Sequence, residues 1–263
     1  MMTLFFVEDL PTQVGQIYEF ENEDAQHAIR VLRMSAGELF ILADGSGAWS
    51  QVKAFAIMKK SMQVEVIASG YQEVLPTTIT VVQALPKSDR AKEAIELLTE
   101  AGVDRIVPWV ASRSIGKVSE KFAITAREAS KQSRRLRIPE VTDIATTEQI
   151  CEAIKLSDLA IAFHESADAK LSDCISSHNV AHLLIIIGPE GGITSTELDA
   201  FREAGAKVAL MGRPILRSAH AGIAAVAAVS ALLQVWSLRG LRSQLFVLLN
   251  YYRGYSRRYC FSK

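Results

Sequence analysis

Apolar positions along this chain follow two different rhythms. Up to about residue 75 they fall in short β-branched or aromatic runs bounded by turn residues, at 4–7, 16–20, 39–43, 49–57 and 63–68. Runs of that length and composition predict strands, and Asp44-Gly45-Ser46-Gly47 supplies a hairpin-type turn between two of them. One short helix, about 23–31, interrupts the series. Several short strands at this spacing predict a small barrel. Residues 71–78, with Pro76, read as a linker. From Ile79 strands and helices alternate: a strand at 79–84, a helix at 89–100 ended by Gly102, a strand at 105–110, a helix over about 119–136 and a strand at 159–163. That alternation predicts an α/β unit, a mostly parallel sheet covered by helices.

The most telling stretch is Ile185-Ile186-Ile187-Gly188-Pro189-Glu190-Gly191-Gly192. A buried strand stops at a tight turn, and Thr194 with Glu197 three residues on forms a capping box that opens a helix. Glycines let a ligand approach the main chain, and ligand loops sit at the carboxyl ends of strands in α/β sheets. The loop lacks the Gly-Lys-Ser/Thr ending of a Walker loop and the Gly-x-Gly-x-x-Gly spacing. Glu190 in the turn would repel a phosphate, so the ligand predicted is neutral or cationic. A strand-helix turn with no ligand is the competing reading. A second unit follows: a strand at 206–212 ending in Gly212, then Arg213-Pro214-Ile215-Leu216-Arg217-Ser218, then an Ala-rich helix at about 221–236. Two such units back to back predict two loops side by side at one sheet edge.

Charge changes the picture more than composition does. Lys plus Arg and Asp plus Glu balance at 29 each, and zero net charge by itself argues against a nucleic-acid partner. The distribution does not: residues 1–75 carry 10 acidic and 5 basic side chains, residues 86–137 carry 12 basic and 7 acidic, and residues 138–238 carry 12 acidic and 6 basic. Within the basic stretch, Arg127, Lys131, Arg134 and Arg135 share one face of the predicted helix, with Arg137 just beyond. A single-sign stripe invites an anion, and an RNA backbone is the natural one; a solvated helix face is the alternative. His27, Arg30 and Arg33 make a weaker stripe on the first unit. The tail at 241–263 is basic and aromatic, fit to stack on RNA or to be an appendage without a selected role.

The apolar run at 221–235 is shorter than the roughly 20 residues of a membrane span and reads as a buried helix. No secretory pattern is visible at the N-terminus. Cys151, Cys174 and Cys260 are far apart, which predicts reduced thiols and a cytoplasmic location. His164, His178 and His182 with these cysteines lack metal-ligand spacing, so no metal is predicted.

The two loops also carry a resemblance. Ile187-Gly188-Pro189-Glu190-Gly191-Gly192 followed by Gly212-x-x-Ile215-Leu216-Arg217-Ser218 resembles the RsmE family, SPOUT-class methyltransferases acting on uridine N3 in small-subunit (16S) ribosomal RNA. His27-Ala28-Ile29-Arg30-Val31-Leu32-Arg33, Pro86-Lys87-Ser88-Asp89-Arg90, Thr99-Glu100-Ala101-Gly102-Val103 and Lys131-Gln132-Ser133-Arg134-Arg135-Leu136-Arg137-Ile138-Pro139 match in the same order. The resemblance covers about 4–238. The chain departs from it at Ser218-Ala219-His220-Ala221, where the family often has Thr-Glu-Thr-Ala, and at Arg213-Pro214, which stands transposed.

The resemblance implies a PUA-like RNA-binding barrel at 1–75, a SPOUT methyltransferase domain at 76–240 with a C-terminal trefoil knot, and a homodimer. It implies S-adenosylmethionine as cofactor, seated among the loops Phe163-His164-Glu165, 188–192 and Leu210-Met211-Gly212 with Ile215-Leu216-Arg217, and held by Phe163 and His164, by Gly188, Pro189, Gly191 and Gly192, and by Leu210, Met211, Gly212, Ile215 and Leu216. It adds Lys87 and Arg90 to the RNA-facing residues. Arg217 is the expected electrostatic catalyst, because it follows the cofactor loop and keeps its proton. Glu190 and His220 are rival candidates for the base. A non-catalytic RNA-binding protein of the same fold, and a SPOUT enzyme with a different target atom, are the alternatives.

Overall fold

The computed structural model describes residues 2–87, 90–116, 121–212 and 214–236. The first unit comprises β1 (Leu4–Phe6), β2 (Ile17–Phe20), α1 (Glu23–Arg30), β3 (Leu39–Ala43), β4 (Ala48–Ile57) and β5 (Met62–Tyr71). Its five strands form one sheet in the order β1-β3-β4-β5-β2. Alternation turns Met62, Val64 and Val66 of β5 inward, as a period of two requires. They enclose Phe5, Phe20 and Phe40, whose ring centroids lie 5.5 to 5.9 Å apart. Asn22 starts α1, its side chain accepting from the Ala25 amide at 3.0 Å.

The second unit comprises β6 (Thr78–Ala84), α2 (Arg90–Glu100), β7 (Arg105–Trp109), α3 (Phe122–Ser133), β8 (Glu140–Val141), α4 (Thr147–Lys155), β9 (Leu159–Phe163), α5 (Leu171–Cys174), β10 (His182–Ile187), α6 (Ser195–Ala204), β11 (Lys207–Ala209) and α7 (Ser218–Leu232). Six strands pair in parallel, in the order β11-β9-β10-β6-β7-β8. Both faces are buried. On one, Val81, Ile106, Ile161 and Ile185 pack with residues of α2, α3 and α7. On the other, Val82, Ala162 and Ile186 pack with α4 and α6, where Trp109 meets Phe201 edge-on at 5.4 Å. Double-sided burial is why these strands read as continuous apolar runs.

Several sequence expectations change. The two strand-loop-helix units are not adjacent, because β9 lies between β10 and β11. The strand expected at 206–212 is only Lys207–Ala209, and the residues released lengthen its loop. The helix expected to begin near 221 begins at Ser218. The helix expected at 119–136 ends at Ser133, because Arg134 adopts a left-handed conformation with φ of 58°. α4, α5 and β8 were not anticipated, although the Thr146/Gln149 capping box that opens α4 is legible in the sequence. The tail at 241–263 lies outside the described residues.

The two units are joined by more than a linker. Leu136 and Ile138 pack on Leu4, Phe6, Ala43 and Trp49. Lys131 Nζ lies 2.6 Å from Asp24 Oδ1, and Arg127 lies 3.4 Å from Asp24 Oδ2. Arg127 also donates to the Phe6 carbonyl at 3.1 Å and stands 5.2 Å from the Phe6 ring centroid. Arg137 donates twice to the Gln72 carbonyl, at 2.6 and 3.1 Å, over the Tyr71 ring.

Candidate active site

β9, β10 and β11 end level with one another: Phe163 pairs with both Ile187 and Ala209. Their three carboxyl-end loops therefore open at one height, around a cleft of about 400 Å³. Phe163 and His164 contribute from β9; Gly188, Pro189, Glu190, Gly191 and Gly192 from β10. Leu210, Met211, Gly212, Ile215, Leu216 and Arg217 contribute from the segment after β11. All the residues expected around the cofactor, Glu165 included, thus converge on one cleft, together with Ser218 and Ala221. A larger groove of about 670 Å³ lies around Thr80, Arg105 and His182, at the amino ends of the strands. It gathers none of the loops that follow β9, β10 and β11, and the smaller cleft is the better candidate.

The backbone of the β10 loop leaves no room for larger residues. A Cβ at Gly188 would stand 2.6 Å from Ile193 Cγ1, and one at Gly191 would stand 3.0 Å from Arg113 Cβ. Gly192 has φ of 76° and donates to the Pro189 carbonyl at 2.9 Å, closing the turn. The apolar lining is open: Leu210 and Leu216 are each 39% exposed and Ile215 is 80% exposed.

Three buried groups hold the loops in place. Ser218 Oγ donates to the Gly188 carbonyl at 2.8 Å and accepts from Gln83 Nε2 at 3.0 Å. This ties the start of α7 to the ends of β6 and β10. Gln83 Nε2 also donates to the Ala84 carbonyl at 2.9 Å, which orients its amide. The third is Glu197, whose Oε1 accepts from the Ser112 amide at 2.7 Å and the Ser112 hydroxyl at 3.0 Å. Its Oε2 accepts from the Thr194 amide at 2.8 Å and the Thr194 hydroxyl at 2.7 Å. Burial acts to raise this carboxyl, but the four donors outweigh it and hold the pKa below the ordinary glutamate range. Glu197 was expected only as half of a capping box. It also fastens the loop after β7 to the site.

The candidate catalytic groups are spread along the rim. Arg217 is exposed as the N-cap of α7. Glu190 is exposed, and its Oε1 lies 3.4 Å from the Lys87 amide nitrogen. His220 Nε2 lies 3.1 Å from Glu93 Oε1, both side chains half exposed.

The basic stripe is not assembled as expected. Arg134 and Arg135 lie beyond the end of α3, off its face. Lys131 is 12% exposed between Asp24 and Glu128. Arg135 is 15% exposed and donates to the Thr99 and Val103 carbonyls at 2.7 and 2.8 Å, beside Asp104. Burial lowers the Arg135 pKa, against the pull of Asp104. Arg127 and Arg137 face the first unit, as described above. These cations fold the chain together, because acidic side chains and carbonyls reach them first. His27, Arg30, Arg33, Lys87, Arg90 and Arg134 are exposed. His27 and Arg30 lie in the last turn of α1, whereas Arg33 lies beyond it with φ of 54°.

Sequence reasoning missed Gln83, Glu93, Ser112 and Arg113. Each acts on a partner between 78 and 135 residues away, and no local pattern signals such a pairing.

Comparisons with known proteins agree with this geometry. Residues 73–230 match the RNA methyltransferase domain family, and residues 20–67 match the RNA methyltransferase PUA domain. The chain is 32% identical to the ribosomal RNA small subunit methyltransferase E of Mycobacterium bovis, over 89% of this chain and 93% of that one. It is 28% identical to the Bacillus subtilis protein of the same name, over 87% and 96%. The crystal structure of the Neisseria gonorrhoeae protein of that name, bound to S-adenosyl methionine, superposes with a TM-score of 0.78 at 26% identity, covering 88% of this chain and 98% of that one. A two-part chain with a five-stranded first unit, three level strand-end loops and these relatives belongs to the ribosomal RNA small subunit methyltransferase E family.

Proposed function

We propose that this protein methylates N3 of a uridine in small-subunit ribosomal RNA, with S-adenosylmethionine as methyl donor. The observation that carries the reading is the meeting of the three strand-end loops in one cleft of the right chemistry. When bound, the donor supplies an electrophilic methyl on a sulfonium. Glu165 and Glu190 on the cleft suit its positive charges, and no phosphate has to be accommodated. Leu210, Ile215 and Leu216 offer apolar surface for the faces of an adenine. The backbone of Gly188, Gly191, Gly192, Met211 and Gly212 offers polar groups for its edge. Phe163, His164 and Pro189 complete the wall.

The chain's own groups supply the rest. N3 attacks well only after losing its proton, so the uracil passes through an anion whose charge lies on N3, O2 and O4. The Arg217 guanidinium, exposed on the rim of the cleft, stabilises that anion. Glu190 and His220 are the candidate acceptors for the proton, and Glu93 orients the His220 ring. N3 is also a pairing edge, so the target nucleotide is bound unpaired or flipped out.

In this reading residues 1–75 bind RNA and 76–240 carry the chemistry, and no role is assigned to 241–263. His27, Arg30, Arg33, Lys87, Arg90 and Arg134 are the surface cations for the substrate backbone. α7 is apolar around much of its circumference, with Leu232 and, just beyond it, Trp236 exposed, which fits a homodimer. Small subunits are assembled in the cytoplasm, and no described helix is long and apolar enough to cross a membrane. The deciding experiment is mass spectrometry of small-subunit RNA incubated with donor, with and without the protein. A new methyl on a uridine base supports the reading. A methyl on ribose or on another base assigns a different target atom, and no methyl leaves a non-catalytic RNA-binding protein.

A further inference from the structure

Residues 110–116, between β7 and α3, form a loop that the mechanism above does not use, and it is built with unusual care. Three anchors hold it. Ser112 gives both its amide and its hydroxyl to the buried Glu197. Arg113 Nη1 donates to the Gly191 carbonyl at 2.8 Å. Gly116 is pressed onto the neighbouring segment, where a Cβ would collide with the Pro86 carbonyl oxygen. A turn inside the loop adds two more bonds, Ser114 N to the Ala111 carbonyl at 2.9 Å and Ala111 N to Ser114 Oγ at 3.2 Å. The loop thus bridges the segment after β6 and the cofactor loop after β10.

Besides Ser112, its exposed side chains are a cation, Arg113, between two apolar residues, Val110, 52% exposed, and Ile115, 68% exposed. A cation flanked by apolar surface on a rigid loop suits a nucleotide, with the charge on phosphate and the apolar groups against base or sugar. The guanidinium spends Nη1 on Gly191 and keeps Nε and Nη2, a pair that can meet two phosphate oxygens. Among the described residues no carboxylate lies within ion-pair distance of Arg113. The cleft beside it carries Glu165 and Glu190 and repels phosphate. A polyanion reaching the cleft needs cations on its lip. The lip supplies them on both sides of the turn: Arg113 bonded to Gly191, and the exposed Lys87, whose amide lies 3.4 Å from Glu190.

We propose that the 110–116 loop is the wall of the active site against which the RNA strand bearing the target nucleotide lies, with Arg113 as its phosphate-binding residue. The proposal rests on the RNA methyltransferase reading and adds a binding site that the sequence resemblance did not assign.

The test uses the full chain and three readouts. Fluorescence anisotropy gives the affinity for a uridine-rich single-stranded RNA at several salt concentrations. Methyl transfer into purified small subunits gives kcat and KM, and calorimetry gives the S-adenosylmethionine Kd. Arg113→Ala is expected to weaken RNA binding about tenfold, the loss of one charged hydrogen bond. It should also flatten the slope of log affinity against log salt by about 0.7, one phosphate contact on a single strand. KM for small subunits should rise, while the S-adenosylmethionine Kd stays within about twofold. Arg113→Lys keeps the charge and should restore the salt slope without the full affinity. Unchanged RNA affinity and salt slope in Arg113→Ala would overturn the proposal. So would a weaker S-adenosylmethionine Kd with unchanged RNA binding, which would make Arg113 a support of the cofactor loop. If the wild type transfers no methyl group, the methyltransferase reading fails, and the anisotropy series still decides the role of Arg113.

Discussion

The cleft at the strand ends and the basic stripe were both conspicuous in the sequence, and the structure treats them in opposite ways. The cleft gathers all its expected residues. The stripe is broken up: Lys131 and Arg127 hold Asp24, Arg135 holds two carbonyls, and Arg137 caps Gln72. The difference lies in what kind of group does the work. A strand-end loop is made of backbone, and its place follows once the strands are in register. A long cationic side chain takes whatever partner the fold brings within reach, and Asp24 arrives from a different unit 107 residues away. A charge pattern states that an anion is wanted without saying which one.

The largest expected effect tests the cleft. Gly191→Val places branched carbons where even a Cβ stands 3.0 Å from Arg113 Cβ. Calorimetry should then detect no S-adenosylmethionine binding, whereas binding at wild-type affinity would mean that the β10 loop is not the cofactor wall.

Lys131→Ala tests the other region. It leaves Asp24 half-buried with only Arg127 as a cationic partner, and should lower stability by about 1.5–3 kcal/mol in a denaturant titration. Cofactor affinity should hold. A wild-type titration curve combined with a collapse of RNA binding would return the stripe to the substrate surface and erase the contrast.

Smaller effects should come from the groups that support the cleft. Glu197→Gln turns one of two buried accepting oxygens into a donor, so two of the four hydrogen bonds are lost, and it should cost about 1–3 kcal/mol at neutral pH. Because the folded carboxyl titrates below its ordinary value of 4.5, its stabilisation is complete above that pH and fades as pH falls through the lower folded value. The melting temperatures of wild type and variant should therefore converge in acid. A gap that persists unchanged as the carboxyl is protonated in acid would mean that the charge of Glu197 is not what holds Ser112.

The least effect is expected from Gln83→Leu and Ser218→Ala, each weakening S-adenosylmethionine binding by about 1 kcal/mol. The double variant should lose less than the sum, since Gln83 reaches Gly188 only through Ser218. Strict additivity would show two independent supports.

Much of this protein was settled by its own local pattern. Apolar alternation in β5, unbroken apolar runs in β9 and β10, and the capping box at Thr194 and Glu197 are decided within a few residues. Backbone geometry and side-chain period act at that range. The glycines of the β10 loop were legible for the same reason. Tertiary structure alone decided the insertion of β9 between β10 and β11, the burial of Lys131 and Arg135, the chain from Gln83 through Ser218 to Gly188, and the fastening of Arg113 to the loop after β10. Each joins groups far apart in the chain. A hydrogen bond or ion pair acts over about 3–4 Å, so which groups come that close is set by how the sheet orders its strands and how the two units meet.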